Sequence, residues 1–393
     1  MADYRYLIIG GGMTADAAAR GIRELDSSGT IGIIGAEEDP PYARPPLSKA
    51  LWKGDPIDSV WKHTADAGVT LHLGRQAKRL DLQRKSVADD KGTDYHYDKL
   101  LLATGGTPRR LPFGGDDVIY YRTLNHFRRL HDMAAEGKSF AVIGGGFIGS
   151  EIAAALTMND CRVTMFFPEP GISSRLFPAD LAEHLVSYYR EKGVDVRPGE
   201  SVAGITKSGS RLEIGTKGGA QVTVDAVVAG IGITPNVDLG IAAGLKADDG
   251  ILVDERLTTG HPDVFAAGDV ARFHNPALNT RMRVEHEDNA LTMGKAAGRS
   301  MAGDETPYTH LPFFYSDLFE LGYEAVGEMD PRVEIVADWK EKFRTGVIYY
   351  VKDERVRGVL LWNVWNQVDA ARQLIAETEP VKASDLVGRL PTG

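Results

Sequence analysis

Two short apolar segments of this chain each run straight into a cluster of glycines spaced as G-x-G-x-x-G/A. Tyr6-Leu7-Ile8-Ile9 enters Gly10-Gly11-Gly12-Met13-Thr14-Ala15, and an alanine-rich helix is expected from Ala15 to about Leu25. Ile31-Gly32-Ile33-Ile34 reads as the next strand, with acids following at Glu37 and Glu38. The arrangement recurs where Phe140-Ala141-Val142-Ile143 enters Gly144-Gly145-Gly146-Phe147-Ile148-Gly149. A helix over 150–158, a strand over 162–167 and Glu169 follow. Unbroken apolar runs of this length suit strands buried on both faces. The first glycine of each turn permits a tight bend, and the second lets backbone approach a pyrophosphate. The third, alanine in the first copy, lets helix and strand pack closely. The helix then presents its positive end and its N–H groups to the phosphates. Glu37 stands 22 residues beyond Ala15, and Glu169 stands 20 beyond Gly149. At about that separation an acid can accept hydrogen bonds from ribose hydroxyls. One such turn occurs in many folds. Two, each in strand–turn–helix–strand context with an acid downstream, predict two dinucleotide sites, and electron transfer between two cofactors explains holding both.

Three further strand ends carry small residues that let backbone lie close to a nucleotide. They are Asp98 to Gly105, with Ala103, Thr104 and Gly105 at the tip; Ala226 to Gly232, followed by Thr234-Pro235-Asn236; and Val264 to Asp269. Asp269 could place a carboxylate near a sugar or ribityl hydroxyl, or cap a helix.

The rest of the composition mainly excludes. A formal net charge of −10 argues against nucleic acid or an anionic membrane as partner, because phosphate binding needs a basic surface. Arg128–Arg129 or Arg281–Arg283 could form a local basic patch; scattered, solvated charges are the simpler reading. Cys161 is the single cysteine, so no intramolecular disulfide can form. No leader-like segment opens the sequence, and no apolar run approaches the roughly 18 residues of a membrane span. The cytoplasm is the expected location. The ten histidines show no ligand-like spacing, so no metal site is expected.

The ordered set GGGMTA (10–15), RPPLSK (44–49), LLATGGTPR (101–109), VIGGGFIGSE (142–151), GITPN (232–236) and TTGHPDVFAAGDVA (258–271) resembles the FAD-dependent pyridine-nucleotide oxidoreductases. Within them RPPLSK resembles the branch of ferredoxin, rubredoxin and putidaredoxin reductases together with apoptosis-inducing factor. FPE (167–169), RVEH (283–286), YSDL (315–318) and LLWN (360–363) lean toward apoptosis-inducing factor. That group's long insertion, leader and basic character are missing, so a DNA-binding or death-related role is not carried over. The resemblance implies an α/β protein with two Rossmann-like three-layer dinucleotide-binding domains and a small α+β C-terminal domain. Residues 1–115 and 235–305 would form the FAD domain, 116–234 the NAD(P)H domain, and 306–393 the C-terminal domain over the flavin. Consistent with this, 346–351 and 357–362 read as antiparallel strands around the turn 352–355, with a helix over about 368–377.

The chemistry narrows by elimination. A disulfide reductase needs a redox cysteine pair beside the flavin, and single-thiol relatives carry the cysteine early, where this chain reads YARPPLSK. Cys161 opens an apolar strand and reads as a buried thiol. Electrons therefore leave the flavin directly for an external acceptor. A cation at Lys49 would stabilise the charge that builds on reduction, and the resemblance implies a Lys49–Glu151 ion pair where nicotinamide stacks. It also implies that Glu285 and His286 open a helix aimed at the flavin, that Tyr315 takes a position usually held by tryptophan, and that Arg44 contacts the FAD pyrophosphate. A structural role for His286 and a surface ion pair for Arg44 are the plainer alternatives. Catalytic candidates are thus Lys49, Glu151 and His286. FAD contacts are expected from Gly10, Gly12, Ala15, Glu37 and Asp269. Gly144, Gly146, Phe147, Ile148, Glu169 and Gly232 are expected at the second nucleotide. Glu169 favours NADH over NADPH, though Arg175 nearby leaves NADPH open. The leading function is an NADH-dependent reductase of a ferredoxin- or rubredoxin-type iron–sulfur protein, as monomer or homodimer. The alternatives are a redox sensor holding a long-lived complex of reduced FAD with NAD+, and a reductase of quinone-like small molecules.

Overall fold

The computed structural model describes residues 2–393. They form two compact units. One gathers the chain up to Arg44, Ile57–Thr107 and Thr234–Pro312; the other gathers Pro45–Pro56, Pro108–Ile233 and Phe313–Gly393.

The first unit is built on a sheet in the order Thr258–His261, Val264–Ala266, Asp94–Leu102, Ala2–Ile9, Ile31–Ile34, Val69–His72. All neighbours are parallel except the outermost pair, Thr258–His261 with Val264–Ala266. Tyr6 to Ile9 lie at its centre and are fully buried, the burial their unbroken apolar run requires. A hairpin of Ala77–Asp81 and Ser86–Asp89 runs antiparallel into Asp94–Leu102. The helices Met13–Arg23 and Glu287–Met301 lie against each other with backbones almost touching. A Cβ added at Gly298 would sit 2.0 Å from the Ala18 carbonyl oxygen, one at Gly21 2.3 Å from that of Lys295, and one at Gly294 2.6 Å from that of Thr14. The glycines and the buried Ala17, Ala18 and Ala19 therefore set the distance between the helices.

The second unit contains a wholly parallel sheet, Asp195–Pro198, Arg162–Phe167, Ser139–Ile143, Ala226–Ala229, Val118–Tyr120, with the helix Phe147–Met158 following its central strand. A three-stranded antiparallel meander, Val202–Ser208, Arg211–Thr216, Gln221–Val224, joins it. The C-terminal part is a five-stranded antiparallel sheet in the order Phe313–Leu318, Leu321–Gly327, Arg355–Trp362, Thr345–Lys352, Glu334–Glu341, with the helix Val368–Ala376. The α/β class with two parallel, nucleotide-type sheets and a C-terminal α+β part is thus the observed architecture. Both glycine-turn helices start earlier than their apolar pattern suggests, at Met13 and Phe147, because Gly12 and Gly146 are themselves the N-caps.

The short turns Pro45–Ser48 and Ala50–Lys53 belong to the second unit because of what Trp52 and Leu47 touch. The buried Trp52 indole N–H donates to the Leu47 carbonyl at 2.8 Å, and its ring meets Phe127 edge-on at 5.6 Å. The Asn159 side-chain amide donates to the Trp52 carbonyl at 3.1 Å, and the Tyr121 hydroxyl donates to the Leu47 carbonyl.

Two alanine substitutions separate close packing from open space. Gly298→Ala drives a methyl into a backbone carbonyl and should cost about 1–3 kcal/mol. Gly204→Ala, where a Cβ meets nothing within 4 Å, should be neutral or slightly stabilising. Urea midpoints of the two variants check this, and equal midpoints would mean that the helices separate freely.

Candidate functional site

The first glycine turn lies in the first unit. Gly10 has a left-handed φ of 123°, and a Cβ there would sit 2.0 Å from the Ala103 carbonyl oxygen. Its N–H donates to the Ile34 carbonyl at 2.8 Å, and the Ala103 N–H donates to that of Ile9 at 2.8 Å. The strand ends at residues 9, 34 and 103 are thereby sewn into one rim. Gly12, the next motif glycine, differs: a Cβ there would meet no other heavy atom within 4 Å. It caps the helix without a side-chain hydrogen bond, and Ala15 is fully buried beneath it. Thr104 and Asn236 lock the adjoining turn. The Thr104 hydroxyl donates to the Asn236 carbonyl, and the Asn236 amide donates to the Thr104 carbonyl, both at 2.8 Å. The Asn236 N–H donates to the Gly105 carbonyl at 2.9 Å.

Glu37 and Arg44 form an ion pair at 2.6 Å, and the Tyr42 hydroxyl donates to the other Glu37 oxygen at 2.6 Å. Burial opposes the charge on Arg44, but Tyr42, Glu37 and Asp269 together hold its pKa above the ordinary value. Asp269 therefore belongs to the same locale. It lies in the turn Gly268–Val270, where a Cβ at Gly268 would strike the Thr14 hydroxyl at 2.3 Å. His286 is the N-cap residue of Glu287–Met301, in extended conformation. Glu285 stands just outside that helix, exposed and paired with Arg283 at 2.6 Å.

The second glycine turn lies in the second unit and repeats the construction. A Cβ at Gly144, φ 116°, would sit 2.3 Å from the Gly230 carbonyl oxygen, and one at Gly149 1.9 Å from that of Gly144. Gly146 is again the N-cap, with no side-chain cap and nothing within 4 Å of an added Cβ. Gly232, φ 89°, is open in the same sense. Phe147 and Ile148 are half-buried in the first helical turn, and Phe147 meets Phe314 edge-on at 5.3 Å. Glu169 pairs with the exposed Arg175 at 2.5 Å.

Five residues beyond Gly146, on the same helix, Glu151 is 4% exposed and pairs with Lys49 at 2.7 Å. The Lys49 ammonium lies 5.4 Å from the centre of the Tyr315 ring. The structure thus brings Lys49, Glu151 and Tyr315 together. It adds Ser48 and Ser316, whose hydroxyls donate to the two oxygens of Glu151. Neither serine was singled out by sequence reasoning, although each adjoins a residue that was.

Cys161 is buried, its thiol near the Asn159 and Ala135 carbonyls, and burial with Asp160 pushes its pKa up. Among the described residues no group of three or more His, Cys, Asp or Glu could hold a metal ion, and no helix is long and apolar enough to cross a membrane.

The family described as pyridine nucleotide-disulphide oxidoreductase matches residues 4–294, and that described as apoptosis-inducing factor, mitochondrion-associated, C-term, matches 336–377. The chain is 34% identical to apoptosis-inducing factor 1, mitochondrial, of Dictyostelium discoideum, over 97% of this chain and 80% of that protein. It is 30% identical to putidaredoxin reductase CamA of Pseudomonas putida, over 97% of this chain and 94% of that protein. The structure of the covalent putidaredoxin reductase–putidaredoxin complex superposes with a TM-score of 0.91 at 30% identity, covering 98% of this chain and 96% of that one. Whatever the first family's name suggests, a lone buried thiol cannot form a redox disulfide within this chain. Alkylation of Cys161 should be at least tenfold slower in the folded protein than in denaturant, and Cys161→Ala should keep full turnover. A folded variant without turnover would return the thiol to the site.

Proposed function

The chain belongs to the pyridine nucleotide-disulphide oxidoreductase family, as an FAD-dependent NAD(P)H oxidoreductase related to apoptosis-inducing factor and the ferredoxin reductases, and from that premise we propose that it carries electrons from NADH to a ferredoxin- or rubredoxin-type iron–sulfur protein. One observation supports this above the others: Glu151, buried and paired with Lys49, sits on the very helix that the second glycine turn opens. The residues fit the two cofactors. At Gly12 and Gly146 a side chain would project where no protein atom lies, which is the room a pyrophosphate needs. FAD, when bound, supplies the conversion of a hydride into single electrons.

The remaining work falls to the chain. We assign FAD to residues 1–115 and 235–305, the nicotinamide cofactor to 116–234, and the third domain to 306–393. Gly10, Gly12 and Ala15 shape the first phosphate cradle, with Ala103, Thr104 and Gly105 as its rim. Arg44, held by Glu37, offers its guanidinium to the pyrophosphate, and Asp269 offers an acceptor to a ribityl or ribose hydroxyl. The positive end of the helix Glu287–Met301, beginning at His286, favours negative charge beside it. Lys49 supplies the fixed cation for the charge that reduction builds, with Glu151 as its anchor and Tyr315 as the aromatic wall. Glu169 reads the ribose 2′-hydroxyl and repels a 2′-phosphate. Arg175, 79% exposed, is the cation that admits some NADPH.

The similarity to apoptosis-inducing factor, including its C-terminal segment, favours a second reading as a redox sensor. Slow reduction and a nucleotide-dependent change of mass in solution are its signature.

An anaerobic acceptor panel tests the first reading. Cytochrome c reduction by NADH should require an added ferredoxin or rubredoxin; turnover with quinones alone would overturn the acceptor assignment. Lys49→Met should slow flavin reduction about a hundredfold, the usual loss for one preorganised electrostatic group. NADH should be preferred to NADPH by at least tenfold in kcat/KM, and Glu169→Ala should narrow that ratio. An unchanged ratio would remove Glu169 from nucleotide selection.

A further inference from the structure

Glu151 is a carboxylate in an almost water-free place, and such a group is tolerated only when its lone pairs are satisfied. Lys49 satisfies one oxygen at 2.7 Å, and the Ser316 hydroxyl donates to that same oxygen at 2.6 Å. The Ser48 hydroxyl donates to the other oxygen at 2.5 Å. These serines are as buried as the acid, at 6% and 1% exposure. They come from distant parts of the sequence, the turn Pro45–Ser48 and the strand Phe313–Leu318.

The arrangement does more than satisfy a buried acid. A lysine alone grips one carboxylate oxygen and leaves the group able to rotate. A donor on the opposite oxygen stops that rotation. The lysine side chain is a flexible stem with a compact charge and takes its position from whatever holds its tip. Ser48 also precedes Lys49 directly in a segment pinned through Leu47 and Trp52. Tyr323 adjoins Ser316, and burial together with the Glu151 charge holds its pKa well above the ordinary value, so it adds no second negative charge beside the acid.

We propose that Ser48 and Ser316 are positioning residues that fix the plane of the Glu151 carboxylate and, through it, the place of the Lys49 ammonium. The inference rests on the reading of Lys49 given above, yet it can fail separately. An oriented ammonium should react sluggishly with acetic anhydride, and one released from its anchor should react faster, whether or not it acts on the flavin.

The test uses flavin-loaded Ser48→Ala, Ser316→Ala, the double variant and Ser316→Thr, each with flavin content and circular dichroism like the parent. Acetylation of Lys49, followed by peptide mass spectrometry without nucleotide, should be roughly tenfold faster in the double variant, the scale of a lost hydrogen bond to a charged group. Flavin reduction by NADH should slow by a similar factor with little change in nucleotide affinity. Ser316→Thr, which keeps the hydroxyl, should stay near wild type in both readings. Lys49 acetylation within twofold of wild type in a folded double variant would overturn the proposal, as would a threonine variant no better than alanine. If acetylation quickens as expected but Lys49→Met leaves reduction untouched, the positioning stands and the role of Lys49 in reduction falls.

Discussion

At Gly10 the backbone passes so close to the carbonyl of Ala103 that a Cβ would lie 2.0 Å from the oxygen, and Gly144 stands in the same relation to Gly230 at 2.3 Å. Everything that makes either turn useful depends on this approach. It lets a strand end bend sharply and deliver the next residues to a helix start, so that the N-cap falls at the second motif glycine. The third position then decides how tightly the helix returns over the turn. At Gly149 the clearance to the Gly144 oxygen is 1.9 Å, so glycine is obligatory. The first copy has Ala15 at the same place, fully buried yet accommodated. The two turns thus carry different third residues, glycine where a Cβ would strike a carbonyl and alanine where a methyl is accommodated.

The turns were legible in the sequence because each is a local object: strand, glycines and helix follow one another within a dozen residues. The same holds for the strand Ile31–Ile34 and for Met165, Phe166 and Phe167 at the end of the strand Arg162–Phe167, whose apolar runs need burial on both faces whatever the topology. The buried ion pair was not legible in this way. Lys49 and Glu151 lie in unrelated segments, and no periodicity joins them; a family resemblance alone brought them together. Ser48 and Ser316 escaped because a serine beside a notable residue carries no pattern of its own. Their importance comes from the direction of two hydroxyls, and only the folded chain shows it. The attachment of 45–56 to the second unit was equally silent, since it depends on where Trp52 finds Phe127 and Asn159.

A buried ion pair is a poor source of stability, because desolvating both charges offsets most of their attraction. Lys49–Glu151, with only 12% and 4% of its side chains exposed, therefore calls for a reason other than stability. Removing the charges and filling the space with apolar side chains would keep such a core folded. What that exchange would lose is a fixed positive charge in a low-dielectric place, where its effect on a neighbouring reaction far exceeds that of a solvated lysine. The surface pairs make the contrast. Arg110–Asp116 and Arg332–Asp330 have equally good distances but stand in water, where a pair contributes little and its charges are screened.

Preorganisation requires that the charge be held before it is needed, and here the hold is a pair of neutral donors. Ser316 and Ser48 carry no charge, so they orient Glu151 without weakening the field of Lys49. A second cation in their place would have satisfied the carboxylate equally well. It would also have shared the carboxylate with Lys49 and loosened it. Hydroxyls are the donors that fix the acid while leaving the lysine as the charge of the site, and their burial keeps water from substituting for them.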